Sequence, residues 1–174
     1  MCKIIKNDTI VNDNWKMLYE NDFIEENVKL LEDHVIVPFK FLKKYLKFNS
    51  NNNLNIGIWI NSDEYSEELK CVLKKNPKQF KVIAINFIKF TDGRGYSIAY
   101  NLRMKFNYTG ELRAIGDVLQ DQLFYMKRVG FNSFVIRHDK NINSALHGLN
   151  IFSEKYQTSA DEKIPLFRRV NRLF

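Results

Sequence analysis

The residues best suited to chemistry in this chain are arginines set among glycines. Residues 1–93 hold fourteen lysines and no arginine, whereas residues 94–137 hold five arginines (Arg94, Arg103, Arg113, Arg128, Arg137) and only two lysines, Lys105 and Lys127. A chain with so strong a lysine habit uses arginine where shape matters. A planar guanidinium grips carboxylates and oxyanions through two parallel hydrogen bonds, and an ammonium does not. Five of the seven glycines (Gly93, Gly95, Gly110, Gly116, Gly130) fall in the same stretch or at its edge, where backbone must turn or be approached closely. The densest run is Asp92-Gly93-Arg94-Gly95. Set between a strand and a helix, it aims backbone N–H groups outward at a positive helix terminus, and Arg94 adds a forked donor. That is an anion cradle. It is neither a GxGxxG fingerprint nor a Walker A loop, so NAD and ATP are not indicated. The same residues also fit a structural role, in which Arg94 pairs with Asp117 or Asp121 and pins neighbouring loops together.

Other reactive side chains point less clearly to chemistry. Asp117 and Asp121 are spaced to act as an acid and base pair, although a cap and a favourable charge at a helix start explain them as well. His138 adjoins Asp139 and is placed to shuttle protons, or simply to be solvated. Ser97, in GYSIA, lacks the trailing glycine of a nucleophile elbow. His34 and His147 have no partners at ligand spacing, so no metal site is expected. Cys2 and Cys71 lie outside any CxxC pattern, which argues against zinc and against a disulfide framework.

The elements that must position these groups follow from hydrophobic patterning. IIKNDTIVNDNW alternates around Asn7-Asp8 and predicts a small hairpin or extended arm. VIVP (35–38) and IGIWI (56–60) read as strands separated by the lysine-rich helical stretch FKFLKKYLKF and an Asn-rich loop. After the polar segment SDEYSEELKCVLKK, VIAINF (82–87) has the doubly apolar look of a covered parallel strand. From it the chain runs through IKFTDGRG into a helix with Ile98, Leu102 and Phe106 on one face. ELRAIG (111–116) then leads to a helix capped by Asp117 with Gln120 three residues on, lined inside by Leu119, Leu123 and Met126 and closed by a left-handed Gly130. FNSFVIR supplies a further strand, and INSALHGLNIFSEKY a last helix.

Alternating strands and helices predict a mainly parallel α/β sheet of βα units in a single domain over residues 1–158. Residues 1–34 form the N-terminal arm, 82–156 the core, and 159–174 a basic C-terminal tail with Lys163, Arg168, Arg169 and Arg172. Ligands of such folds bind beyond the carboxyl ends of the strands. The loops meeting there carry Lys89, Asp92, Gly93, Arg94 and Gly95, then Asp117, Gln120 and Asp121, then Arg137, His138 and Asp139. Lys89, Gly93, Arg94, Gly95, Arg113 and Arg137 form the expected anion-binding set, with Asp92, Asp117 and Gln120 as caps. Arg113 lies mid-strand and Arg137 at a strand end. An open three-layer sheet would bury such charges at high cost, whereas a curved, half-barrel-like sheet makes them a polar lumen.

Composition bounds the rest. The net charge is +7, but the positive groups collect as Lys40, Lys43, Lys44 and Lys47 on one helix face and in the tail, without interleaved stacking aromatics. That distribution disfavours nucleic acid as a partner. No apolar run reaches the length of a membrane span and the start lacks a secretion signal's apolar centre, so a cytoplasmic location is expected.

The stretches FIKFTDGRGYSIAYNLR and YTGELRAIGDVLQDQLFYMKRVGFNSFVIR resemble the signature of a bacterial family of unknown function labelled as an oxidoreductase involved in sulfite reduction. The resemblance covers residues 87–137 closely and extends more loosely from the N-terminal arm to about Tyr156. Ile88 stands where family members often carry proline, which makes the loop less rigid. The resemblance implies a cytoplasmic accessory of assimilatory sulfite reduction that partners the sulfite reductase haemoprotein or its electron donor, with a small oxyanion at the arginine-rich rim. The alternative it implies is an oxidoreductase acting directly on sulfite or a related anion with an external electron donor, since no flavin, iron–sulfur or haem ligation pattern is present. It assigns no catalytic residues. Among the aromatics, Tyr96, Tyr100, Phe124 and Tyr125 read as packing residues, an exposed pair among them marking a partner surface.

Overall fold

The computed structural model describes residues 2–23, 33–48, 55–76 and 79–169. The Asn-rich connection at 49–54 and the end of the basic tail, including Arg172, lie outside the described residues.

The chain opens as the expected hairpin. Strands β1 (Lys3–Lys6) and β2 (Thr9–Asn12) are antiparallel, and Asn7 and Asp8 between them have φ of 48° and 61°, as a two-residue type I′ turn requires. Then come β3 (Lys16–Met17), β4 (Val35–Pro38), β5 (Ile56–Asn61), β6 (Val82–Phe87), β7 (Glu111–Gly116) and β8 (Ser133–Phe134). All eight form one sheet in the order β2-β1-β8-β7-β6-β5-β4-β3. From β3 to β8 neighbours are parallel and follow chain order.

That order decides between the two architectures. Without a reversal in strand order, right-handed crossovers all place their helices on one face. Helices α2 (Glu67–Lys75), α3 (Arg94–Met104), α4 (Leu123–Val129) and α5 (Ile142–Gly148) do pack one face: Leu69, Leu73, Ile98, Leu102, Leu123, Met126 and Ala145 join Ile58, Ile83, Ile85, Leu112 and Phe134 in one core. The other face holds Ile36, Trp59, Val82, Ala84 and Ile115, covered by Trp15 and Met17 from the chain's own start.

The sheet is curved because its two edges are tied. Asn12 pairs at one edge and Lys16 at the other, so four residue steps, at most about 14 Å, join edges that would lie roughly 34 Å apart if eight strands were flat. The fold is a mixed α/β half-barrel, and residues 13–15 form a strap across its concave side. Three strands of the sheet thus come from the N-terminal arm.

Several local expectations change. The polar segment after β5 contains α2, started by Ser66, whose Oγ accepts from the Leu69 N–H at 3.3 Å. The lysine-rich stretch begins with a 3-10 turn, Phe39–Phe41, before α1 (Leu42–Phe48). Helix α3 stops at Met104, so Phe106 packs from beyond its end. Asp117 and Gln120 do not form a capping box: the chain enters α4 through a 3-10 turn, Gln120–Gln122, and Gln122 Oε1 accepts from the Leu119 N–H at 3.4 Å. Gly130 closes α4 with φ 114°. The last helix of that region is shorter than its pattern, ending at Gly148, and a one-turn α6 (Leu166–Arg169) lies in the tail.

Inside the curve, Arg113 is the largest fully buried side chain of the described residues, 1% exposed. It donates from Nη1 and Nη2 to Asp13 on the strap (2.9 and 3.1 Å) and from Nε to Glu111 (2.9 Å). Lys6 Nζ closes the group at 2.6 Å from Glu111. Burial pushes the Glu111 carboxyl up, but Arg113 and Lys6 outweigh it and hold the group below its ordinary value. A buried charge needs such partners, and here they fasten the strap.

Candidate functional site

The carboxyl ends of β5, β6, β7 and β8 bring the predicted loops together at one mouth. The loop between β6 and α3 is its centre. Gly93 precedes the first turn of α3, and the Arg94 N–H donates to Asp92 Oδ1 at 3.1 Å. Arg94 also folds its fork back on Asp92, with Nε to Oδ1 at 3.0 Å and Nη2 to Oδ2 at 2.7 Å. The donors expected to hold an external anion are therefore bound to the chain's own Asp92 carboxylate. Ser62, at the end of β5, donates to Asp92 Oδ2 at 2.5 Å. Arg94 first, and Ser62 second, hold the Asp92 carboxyl far below the usual carboxylate range.

Arg137 is likewise committed. Its Nε and Nη2 bind Asp139 at 2.6 and 2.9 Å, and Nη1 binds Asp117 Oδ1 at 2.8 Å. Asp139 and Asp117 together raise the guanidinium above its ordinary value. So the loop-pinning role expected of Arg94 belongs to Arg137, which ties the segment after β8 to the end of β7. Asp117 continues the chain of contacts, accepting from the Phe90 N–H at 3.0 Å, while Gln122 Nε2 donates to Phe90 O at 2.7 Å.

The remaining predicted residues separate. Arg113 is not at the mouth but in the lumen, enclosed by Asp13 and Glu111. Gly95 is buried in the first turn of α3, where an added Cβ would lie 2.6 Å from the Phe87 ring, so it serves close packing of helix on strand. Gly93 is exposed with open space around it. Lys89 is exposed, and its carbonyl accepts from the Asp92 N–H at 3.0 Å. Asp117, Asp121 and His138 do not form one acid–base group: Asp117 is bound to Arg137, Asp121 lies on the 3-10 turn, and His138 lines a cavity beside Arg137. Burial first, and then the Asp121 charge, push the Tyr96 hydroxyl up to about 12. Among the described residues no group of three or more His, Cys, Asp or Glu is placed to hold a metal, and no helix is long and apolar enough to cross a membrane.

What the sequence did not disclose is the apolar part of the mouth. Ile88 and Phe90 are 54% and 48% exposed, on a loop pinned through Phe90 N–H, Phe90 O and Asp92. The one sequence signal was Ile88, the departure from the proline of the resembled signature. Tyr100 and Tyr125 are also exposed, with Tyr96 packed against Tyr125 at 5.3 Å.

Every arginine of the 94–137 window thus binds groups of this chain itself, although Arg128 Nε is buried without a hydrogen-bond partner. Arg103 donates to the carbonyls of Gly130, Tyr108 and Gly110 at 2.9, 2.6 and 2.9 Å, and Arg128 reaches Gln157 O and Asp161 in the tail. Shape is the reason for arginine here, as the lysine bias implied.

Among known proteins, no curated protein and no solved structure matches this chain. A family model described as "Bacterial protein of unknown function (DUF934)" matches residues 57–167, more than half of the 174 residues, reaching from within β5 into α6, and the chain belongs to that family.

Proposed function

We propose that this protein is a docking accessory of assimilatory sulfite reduction, which binds the sulfite reductase haemoprotein or its electron donor through the β6–α3 loop. The observation that carries the docking half of this reading is the pinned loop with Ile88 and Phe90 turned outward. Large apolar side chains on a pre-ordered segment lose little freedom on binding, which is what anchors of protein interfaces need. The sulfite half rests on the resemblance of residues 87–137. Lys89, Asp92 and Arg94, next to the two apolar groups in the chain, place charge beside them, suited to orienting a partner.

The second reading, direct action on sulfite held by Arg94, Arg113 and Arg137, is weakened by the same geometry. Each of these forks faces a carboxylate of its own chain, and an incoming anion would have to displace it. The test is direct binding of the purified chain to sulfite reductase by biolayer interferometry at about 0.15 M salt, where exposed charges are screened beyond roughly 8 Å. Association should weaken by at least about tenfold in Ile88→Ser/Phe90→Ser, as expected when hot-spot contacts are truncated. Absence of association with both the reductase and its electron donor, or an unchanged affinity in the double variant, refutes the reading.

A further inference from the structure

A cavity of about 410 Å³ opens where the ends of β7 and β8 meet the start of β1. Its size falls in the roughly 300–1,000 Å³ range of small-molecule sites. Its wall has two chemical halves. Val135, Ile136 and Ile142 supply apolar surface, and Lys3, His138 and Lys140 supply donors. Arg137 also lines it, with three of its five N–H donors held by Asp117 and Asp139.

The donors are available. Among the described residues Lys3 Nζ and the His138 ring have no carboxylate partner, and Lys140 Nζ has only Asp139 Oδ2 at 3.5 Å. Asp117 and Asp139 cancel two of the three permanent positive charges of Lys3, Arg137 and Lys140, so the wall keeps one. His138 adds a ring N–H in either protonation state. The three donors come from two separate chain segments, the first strand and the β8–α5 connection, which the fold brings to one opening.

We propose that this cavity binds a small organic monoanion, with a compact apolar body against Val135, Ile136 and Ile142 and one acidic head group between Lys3, His138 and Lys140. One residual charge matches one acidic group, and the apolar wall separates such a molecule from a bare inorganic ion. The site is distinct from the docking loop and does not depend on that reading.

The experiment follows the Val135, Ile136 and Ile142 methyl signals of isotopically labelled full-length protein by NMR during titration with sodium benzenesulfonate, sodium sulfate or benzyl alcohol. Benzenesulfonate should shift these methyls saturably, with sulfate and benzyl alcohol each at least about tenfold weaker, the scale of one lost charged or apolar contact. Lys3→Ala/Lys140→Ala should weaken benzenesulfonate by at least about tenfold. Lys43→Ala/Lys47→Ala, which removes the same charge from exposed positions of α1, should stay within about twofold, as for screened distant charges. All four positions are exposed, so both double variants should keep the wild-type fold. No saturable shift with benzenesulfonate, equal binding of sulfate, or equal loss in the two lysine double variants overturns the proposal.

Discussion

Replacing Asp13 by alanine tests the inward-turned arginines at their most buried member. The substitution removes two of the hydrogen bonds of Arg113, at 2.9 and 3.1 Å, and leaves Glu111 to face two cations, Arg113 and Lys6. Breaking a buried ion pair from one side costs about 3–5 kcal/mol. Because Glu111 still engages Arg113 Nε, the lower end applies, about 3 kcal/mol. For a chain of this length that corresponds to a fall in Tm of roughly 6–12 °C.

The chain carries its own reporter. Its two tryptophans both report on the strap: Trp15 belongs to it, and Trp59 is in the cluster against which Trp15 packs. Urea unfolding followed by tryptophan emission therefore reads both stability and the seating of the strap. Asp13→Ala should show the loss together with a red-shifted native emission. In an Arg113→Met background the same substitution should cost at least about 1.5 kcal/mol less, the signature of direct coupling. A loss below about 0.5 kcal/mol, the size of an ordinary surface substitution, with unchanged emission, would refute the claim that Arg113 and Asp13 fasten the strap.

Further outcomes follow from individual positions. Glu111 has its folded-state value below its unfolded one, so its contribution is present above about pH 4.3 and is lost as pH falls through the lower folded value. Acid unfolding monitored by circular dichroism should steepen below about pH 4, and Glu111→Gln should flatten that limb. Gly116→Ala should destabilise by at least about 1–3 kcal/mol, because φ is +87° and the new Cβ would lie 2.3 Å from Asn86 Oδ1 and 2.5 Å from Phe87 O. Gly93→Ala, where φ is −74° and the space is open, should be neutral or stabilise by up to about 1 kcal/mol. Urea midpoints of the two variants check both statements.

The course of the chain was legible wherever apolar residues ran in blocks. VIVP, IGIWI, VIAINF and ELRAIG became β4 to β7, and Asn7-Asp8 made its hairpin turn, because burial and turn chemistry act locally there. The two-residue β3 left no pattern to read, and α2 was masked by its outer face of Glu and Lys despite Leu69 and Leu73 at helical spacing. The choice between open and curved sheets rested on strand order and on the short strap, neither of which periodicity encodes.

The arginines show the same division at the mouth. That they were chosen for shape was readable from the lysine habit of the chain. What they grip was not. Asp13 lies 100 residues from Arg113 in sequence, and Asp117 meets Arg137 only because β7 and β8 are neighbours. Arg94 had its partner two residues away, yet the same Asp-Gly-Arg pattern serves an external anion equally well. Only the folded geometry shows Arg94 bound to that carboxylate.

Amide hydrogen exchange at Phe90 tests most directly whether the mouth is a rigid presenting surface. Its N–H is bound to Asp117, which Arg137 holds in place, although the residue itself is half exposed. The Phe90 amide should exchange at least about tenfold more slowly than an unprotected amide, and Asp117→Ala should abolish that protection while leaving the amides of β6 unchanged. Exchange at the unprotected rate in the wild-type protein would contradict the account.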